Sequence, residues 1–278
     1  IAETAEGNPL FLEEMVGMLV EEGHLVQGGG GWHPAGGIER VRIPGSINAL
    51  LSARLDGLAP GERDVAQRAA VVGRIFERGA VTELCPAPER PQVTSRLLSL
   101  VRKELIRPDP QAGLGGDDAF RFRHMLVRDA AYEALPKAER AALHEAFAAW
   151  LERIVGDRVG EYEEVVAHHL EQAYGYRQEL GEPGTDALGR QAAARLISAS
   201  RRAQARGDTP AATVLRRQAL HLPMVTAERV AVLVQLARSA LDADDAAGAG
   251  ALLDEAGALV ADATDQRDVL ELHVLVGR

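Results

Sequence analysis

Between residues 207 and 259 the chain states one pattern twice. Gly207-Asp208, Leu215, Ala219 and Leu222 are answered 37 residues later by Asp244-Asp245, Leu252, Ala256 and Leu259. Repetition at this period describes a unit that cannot bury its own apolar face, so each copy must stack on a neighbour and the result is a helical array. The glycine and aspartate positions read as the turn of each unit, and the leucines and alanines as the packed faces of two helices. Leu196 to Arg206 is expected to pair with Pro210 to Leu222, and Val230 to Ala243 with Ala246 to Val260.

A period of about 34 residues plus a short loop is that of tetratricopeptide-type hairpins. Two units are few for a stable solenoid, so the array is expected to continue beyond Arg278. The rest of the composition agrees with a mainly α chain. Of 278 residues, 46% are apolar, enough for a buried core, while only 4% are aromatic and β-branched runs are short.

Charge narrows the functional classes. The net charge of −10 divides as −5 over residues 1–60, +1 over 61–135, −5 over 136–185 and −1 over 186–278. None of these segments has the basic footprint of a nucleic-acid-binding domain. A single cysteine, Cys85, excludes an internal disulfide and the multi-cysteine zinc patterns, and suits a reducing cytoplasm. No apolar run approaches the roughly 20 residues of a membrane span. The chain begins with Ile1 rather than Met and shows no secretory leader, so it is read as a cytoplasmic fragment of something longer.

Glu6-Gly7-Asn8-Pro9-Leu10-Phe11-Leu12 opens the first helix. Asn8 can cap it and Pro9 suits its first position. Leu12, Met15, Val16, Leu19 and Val20 make one apolar stripe, and Gly23 can end the helix. Alone, this describes only a well-capped amphipathic helix. His24 to Gln27 and Trp32-His33 flank a four-glycine run that suits a small hairpin or a flexible wing, and Pro44 opens a second helix bearing Ile47, Leu50, Leu51 and Leu55.

Residues 61–135 read helix, helix, helix, strand, wing, strand, helix. Val65, Ala66, Ala69 and Val72 mark the first helix, Ala80 to Leu84 the second, and Val93, Leu97, Leu100 and Val101 the third. Leu105-Ile106 and Phe120 to Arg123 are the strands, with turn-rich sequence from Pro108 to Asp118. This is the order of a winged helix. Helices follow at about 137–155, with Leu143, Phe147, Trp150, Leu151 and Ile154, and about 161–174, with Val165, Val166, Leu170 and Ala173.

In order, four stretches carry a resemblance: Ala5 to Glu14; Ile43-Pro44 through Leu58; Leu100 to Ile106; and Phe120 to Tyr132. Over residues 1 to about 225 the chain resembles the C-terminal part of signal-transduction ATPases with numerous domains, of the type associated with adenylate or guanylate cyclases or with LuxR-like transcriptional effectors. The resemblance implies a mainly all-α architecture: the end of an ATPase lid with a Gly-rich hairpin at 1–58, a winged helix at 59–135, a helical linker at 136–185, and tetratricopeptide-like repeats at 186–278.

It further implies that Gly7, Asn8 and Pro9 line the nucleotide. Such a placement is sensible, because a helix N-terminus offers free N–H groups and positive potential to phosphate. His124 would take the place of the winged-helix histidine that reads phosphates in related apoptotic and plant-immunity switches, although Met125 follows it where those relatives have aspartate. The alternative for His124 is a residue packed at a strand-to-helix junction. ATP or ADP with Mg²⁺ is expected only in the context of an upstream ATPase core, because no G-x-x-x-x-G-K-[ST] occurs here and the chain alone should not hydrolyse ATP. The implied partners are that ATPase domain and a protein or small-molecule ligand on the repeats, with no membrane partner.

Other constellations have plain structural readings. His168 and His169 are adjacent on one helix and point about 100° apart, so they cannot share a metal. His144-Glu145 starts like a zincin motif, but Ala148 stands where the second histidine belongs. No serine occupies a G-x-S-x-G elbow. Arg96, Arg102, Lys103 and Arg107 could meet phosphates as a recognition helix does, but acidic neighbours oppose it. Arg201, Arg202, Arg206, Arg216 and Arg217 form a cluster that is either a solvated solenoid face or the seat of an acidic partner. The expected function is regulatory signal sensing by a nucleotide-switched ATPase. The alternatives are a tetratricopeptide interaction scaffold that binds no nucleotide and a winged-helix DNA-binding regulator.

Overall fold

Pro60 and Glu62 show how the sequence starts the helix that follows residue 59. Proline occupies the first turn, where a missing N–H costs nothing, and the Glu62 carboxylate turns back to accept the Ala59 N–H at 3.2 Å. A computed structural model describes residues 12, 15–17, 19–20, 23–28, 31–35, 47–112 and 116–261 of the chain. It divides into two compact units, residues 1–143 and 144–278.

The described residues from 12 to 20 are helical, with Met15 and Leu19 fully buried. Gly23 closes this helix at φ +73°, the left-handed region that a side chain rarely adopts, and His24 N–H reaches back to Leu19 C=O at 2.8 Å. Strands β1 (Leu25–Gly28) and β2 (Gly31–Pro34) then pair antiparallel, Val26 opposite His33. The hairpin expected around the glycine run is therefore present.

Helix α1 (Ile47–Asp56) leads into α2 (Pro60–Val72), β3 (Ile75–Glu77), α3 (Arg78–Leu84), α4 (Val93–Arg102), β4 (Ile106–Pro108), β5 (Ala119–Phe122) and α5 (Met125–Glu133). This is the winged-helix order with one strand added to the sequence reading. The sheet runs β3-β5-β4, antiparallel throughout, with Phe76 opposite Phe120 and Ile106 opposite Phe122. Phe76 stacks with Phe120 at 6.1 Å and tilts against Phe122 at 5.4 Å between ring centroids. Leu51, Leu55, Val65, Leu97, Leu100 and Val127 close the same core over these rings. Burying each large side chain contributes about 1.5–3 kcal/mol. Leu51 and Leu55 come from α1, which also packs on α5, so α1 shares the winged-helix core.

Helix α6 (Lys137–Val155) buries Leu143, Phe147, Trp150 and Leu151, as its spacing required, but Ile154 is 57% exposed and Val155 is the buried residue instead. A 3₁₀ turn (Gly156–Tyr162) leads to α7 (Glu163–Glu179), whose buried face carries Val166, Leu170 and Ala173 while Val165 faces solvent. Then come α8 (Asp186–Ala205), α9 (Thr209–Ala219), α10 (Thr226–Asp242) and α11 (Ala246–Ala261). α8 packs on both α7 and α9, and α10 on α11.

The sequence repeat is a repeat of hydrogen bonds. Asp208 N–H donates to Ala203 C=O at 2.9 Å, and Asp245 N–H donates to Ala240 C=O at 2.9 Å. The Asp208 carboxylate accepts the Ala211 N–H at 3.0 Å, and that of Asp245 accepts the Gly248 N–H at 2.8 Å. The residue before each aspartate is left-handed, Gly207 at φ +79° and Asp244 at φ +58°. Each turn thus ends one helix and caps the next with the same few atoms.

Candidate functional site

Gly7, Asn8 and Pro9 lie outside the described residues. His124 occupies the junction between β5 and α5, in extended conformation at φ −129° and ψ 142°, and is half-buried. Its side chain does not cap α5, and its backbone carbonyl accepts the Arg128 N–H at 3.4 Å. The position is a strand-to-helix junction that is also a helix N-terminus.

The residues after His124 are held by structure. Arg128 donates to Ala70 C=O at 2.8 Å, filling an end carbonyl of α2, and pairs with Asp129 at 3.1 Å. The guanidinium groups of Arg128 and Arg140 each lie 4.7 Å from the centre of the Tyr132 ring. Arg140 also donates to Leu135 C=O and Glu133 C=O at 2.9 and 2.7 Å. The Arg-Asp-Ala-Ala-Tyr run therefore fastens α5 to α2 and to the start of α6.

The basic residues of the winged helix are largely committed within it. Arg96 pairs with Glu89 at 2.6 Å and with Gln92 at 2.7 Å, and Lys103 pairs with Glu62 at 2.7 Å. Burial pushes the Glu62 carboxyl up, but Lys103, Ser99 and the Ala59 N–H together outweigh it and hold the group below its ordinary value. Of Arg96, Arg102, Lys103 and Arg107, Arg102 and Arg107 are exposed. Cys85 is buried in the same core, and burial, opposed by Arg68, pushes its thiol up.

In the second unit, His144 and His169 are 1% and 3% exposed, and their Nδ1 atoms lie 2.8 Å apart. Phe147 packs on His169 at 4.4 Å, and His168 lies edge-on to His144 at 6.4 Å. Sequence reasoning placed these histidines on separate helices and missed that two of them hydrogen-bond. Among the described residues no group of three His, Cys, Asp or Glu side chains could hold a metal ion.

A further concave feature lies within the repeats. A cavity of about 500 Å³ opens between α8, α9 and α10, walled by Ile197, Ala231 and Val232 and carrying Arg201, Gln204 and Arg216. Arg216 is 5% exposed and its guanidinium donates to Gln204 Oε1 at 3.3 Å. Burial, and secondarily the charge of Arg201, push its pKa below the ordinary arginine value. The arginine cluster of the sequence does not form one patch: Arg202 faces Glu163 at 3.5 Å, while Arg201 and Arg216 share the cavity.

These features define a mainly α protein with a winged helix followed by tetratricopeptide-like hairpins. No protein-family model matches the chain, and no curated protein is similar to it in sequence. Among solved structures the chain is similar to that of a signal transduction ATPase with numerous domains carrying a tetratricopeptide repeat sensor, from Pyrococcus horikoshii. The two share 16% identity with a TM-score of 0.38 over 99% of this chain, which spans 40% of that one. No described helix is long and apolar enough to cross a membrane.

Proposed function

We propose that this chain is the regulatory end of a nucleotide-switched signal-transduction ATPase: a lid terminus, a winged helix that holds the switch closed, and a repeat array that senses a ligand. The observation carrying the reading is the junction at His124. A winged helix whose last strand delivers a half-buried histidine to a helix N-terminus puts an imidazole and free backbone N–H groups at one point, which suits a phosphate. The nucleotide would be ATP or ADP with Mg²⁺, held mainly by an upstream ATPase core, with Gly7, Asn8 and Pro9 forming one wall. Effector control, whether of a cyclase or a transcriptional domain, would follow from release of the closed state when ATP replaces ADP and the repeats are occupied.

The test is ADP and ATP calorimetry on the longer protein that contains the ATPase core, comparing wild type with Pro9→Ala and His124→Ala. Loss of about tenfold in ADP affinity in either variant, on the order of 1.4 kcal/mol, is the expected result. Unchanged binding in both, with folding intact, would leave these residues structural and turn the assignment to an interaction scaffold.

A further inference from the structure

Of the arginines in the repeat unit, Arg195, Arg202 and Arg229 each reach a carboxylate, Glu152 at 2.6 Å, Glu163 at 3.5 Å and Glu255 at 3.0 Å. All three are more exposed than Arg216, which has no ion-pair partner among the described residues. The pattern runs against ordinary energetics, because charges taken from water are normally paired, and a guanidinium at 5% exposure held by one long neutral bond is costly. Glu228 lines the same cavity but sits exposed and does not reach Arg216 within ion-pairing distance.

Arg216 comes from α9, while the cavity walls are Ile197 on α8 and Ala231 and Val232 on α10, so the buried cation lies among apolar surfaces. The volume of about 500 Å³ falls in the range of small-molecule sites, which combine apolar walls with a few fixed polar groups. A planar guanidinium offers parallel N–H donors that fit the two oxygens of a carboxylate, and in a desolvated setting such a pair is strong. Arg201, exposed beside the same cavity, adds a second positive charge.

We infer that the cavity between α8, α9 and α10 binds a small organic anion, a carboxylate on an apolar body, with Arg216 holding the carboxylate and Ile197, Ala231 and Val232 holding the body. The inference rests on the reading that the repeats sense a ligand and names its chemical class. Binding would supply the counter-charge that Arg216 lacks, so occupancy would stabilise the packing of α9 against α8 and α10.

The experiment titrates the 278-residue chain with sodium octanoate, octanol, octylamine, inorganic phosphate and an oligoglutamate peptide by calorimetry, using wild type, Arg216→Met and Arg201→Gln. Circular dichroism confirms folding, which Arg216→Met should keep because it replaces a buried cation with an apolar chain. Octanoate should bind at one saturable site, at least tenfold more tightly than octanol or octylamine. Arg216→Met should lose at least tenfold in octanoate affinity while octanol is unchanged, and Arg201→Gln should lose less. Equal binding of octanoate and octanol, phosphate binding as tight as octanoate, or an unaltered Arg216→Met titration would each overturn the assignment. So would an oligoglutamate peptide binding more tightly than octanoate, which would point to a protein partner. Failure here leaves the ADP comparison in the longer protein untouched, and failure there leaves this titration untouched.

Discussion

The pair formed by His144 and His169 offers a direct test of how the second unit is held together. For their Nδ1 atoms to sit 2.8 Å apart, one ring must donate its proton and the other must accept it. Replacing either histidine with leucine removes one partner and strands the other nitrogen in a site only 1–3% exposed. A buried polar atom deprived of its partner costs about 1–3 kcal/mol, so His144→Leu and His169→Leu should each destabilise the unit by about that much. The double variant removes both nitrogens, strands neither, and should cost less than the two singles together by at least about 1 kcal/mol.

Urea titration read from Trp150 measures this locally. Trp150 stacks on Phe147 at 5.6 Å, Phe147 packs on His169, and Trp32 is the other tryptophan of the chain, so a Trp32→Phe background isolates the signal. Strict additivity of the two single variants would refute the hydrogen bond as a stabilising unit.

Two other perturbations test the fold. Burial, with a further push from Asp117 and against a backbone hydrogen bond, raises the Glu77 carboxyl. The folded state therefore binds the extra proton above the unfolded carboxyl value of about 4.3, and stability contributed by Glu77 is full below that pH and lost as pH rises through the raised value. Glu77→Gln should leave the first unit equally or more stable at neutral pH and flatten its pH dependence in the weakly acidic range by chemical denaturation; a steeper dependence would contradict the burial argument. At Gly189 an added Cβ would lie 2.5 Å from the Pro223 ring and 3.0 Å from Tyr174, so Gly189→Ala should destabilise the repeat unit by about 1–3 kcal/mol in urea, and a stabilised variant would show that this contact yields freely.

What could be read in the sequence depended on whether a residue's role is local. The turns at Gly207-Asp208 and Asp244-Asp245 were legible because their hydrogen bonds stay within a few residues, so repeated sequence became repeated geometry. The winged-helix order was legible for the same reason, except for β3. Ile75-Phe76-Glu77 is too short to show alternation, and it is a strand because Phe76 lies opposite Phe120, 44 positions away. Ile154 and Val165 were placed on buried faces by helical spacing, yet both face solvent, since spacing identifies a stripe but not its edges.

The candidate site was least legible where it matters most. His144 and His169 sit 25 positions apart on different helices, and nothing local distinguishes them from surface histidines. Arg216 reads as one of five arginines that are either a solvated face or the seat of an acidic partner, and only its spacing from Ala212 and Ala219, on the stripe that carries Leu215, sets it apart from Arg217. In the packed helices Arg217 remains exposed, whereas Arg216 is enclosed without a carboxylate. A charge becomes unusual through what the fold takes away from it, here water and a counter-ion, and that subtraction has no sequence signature.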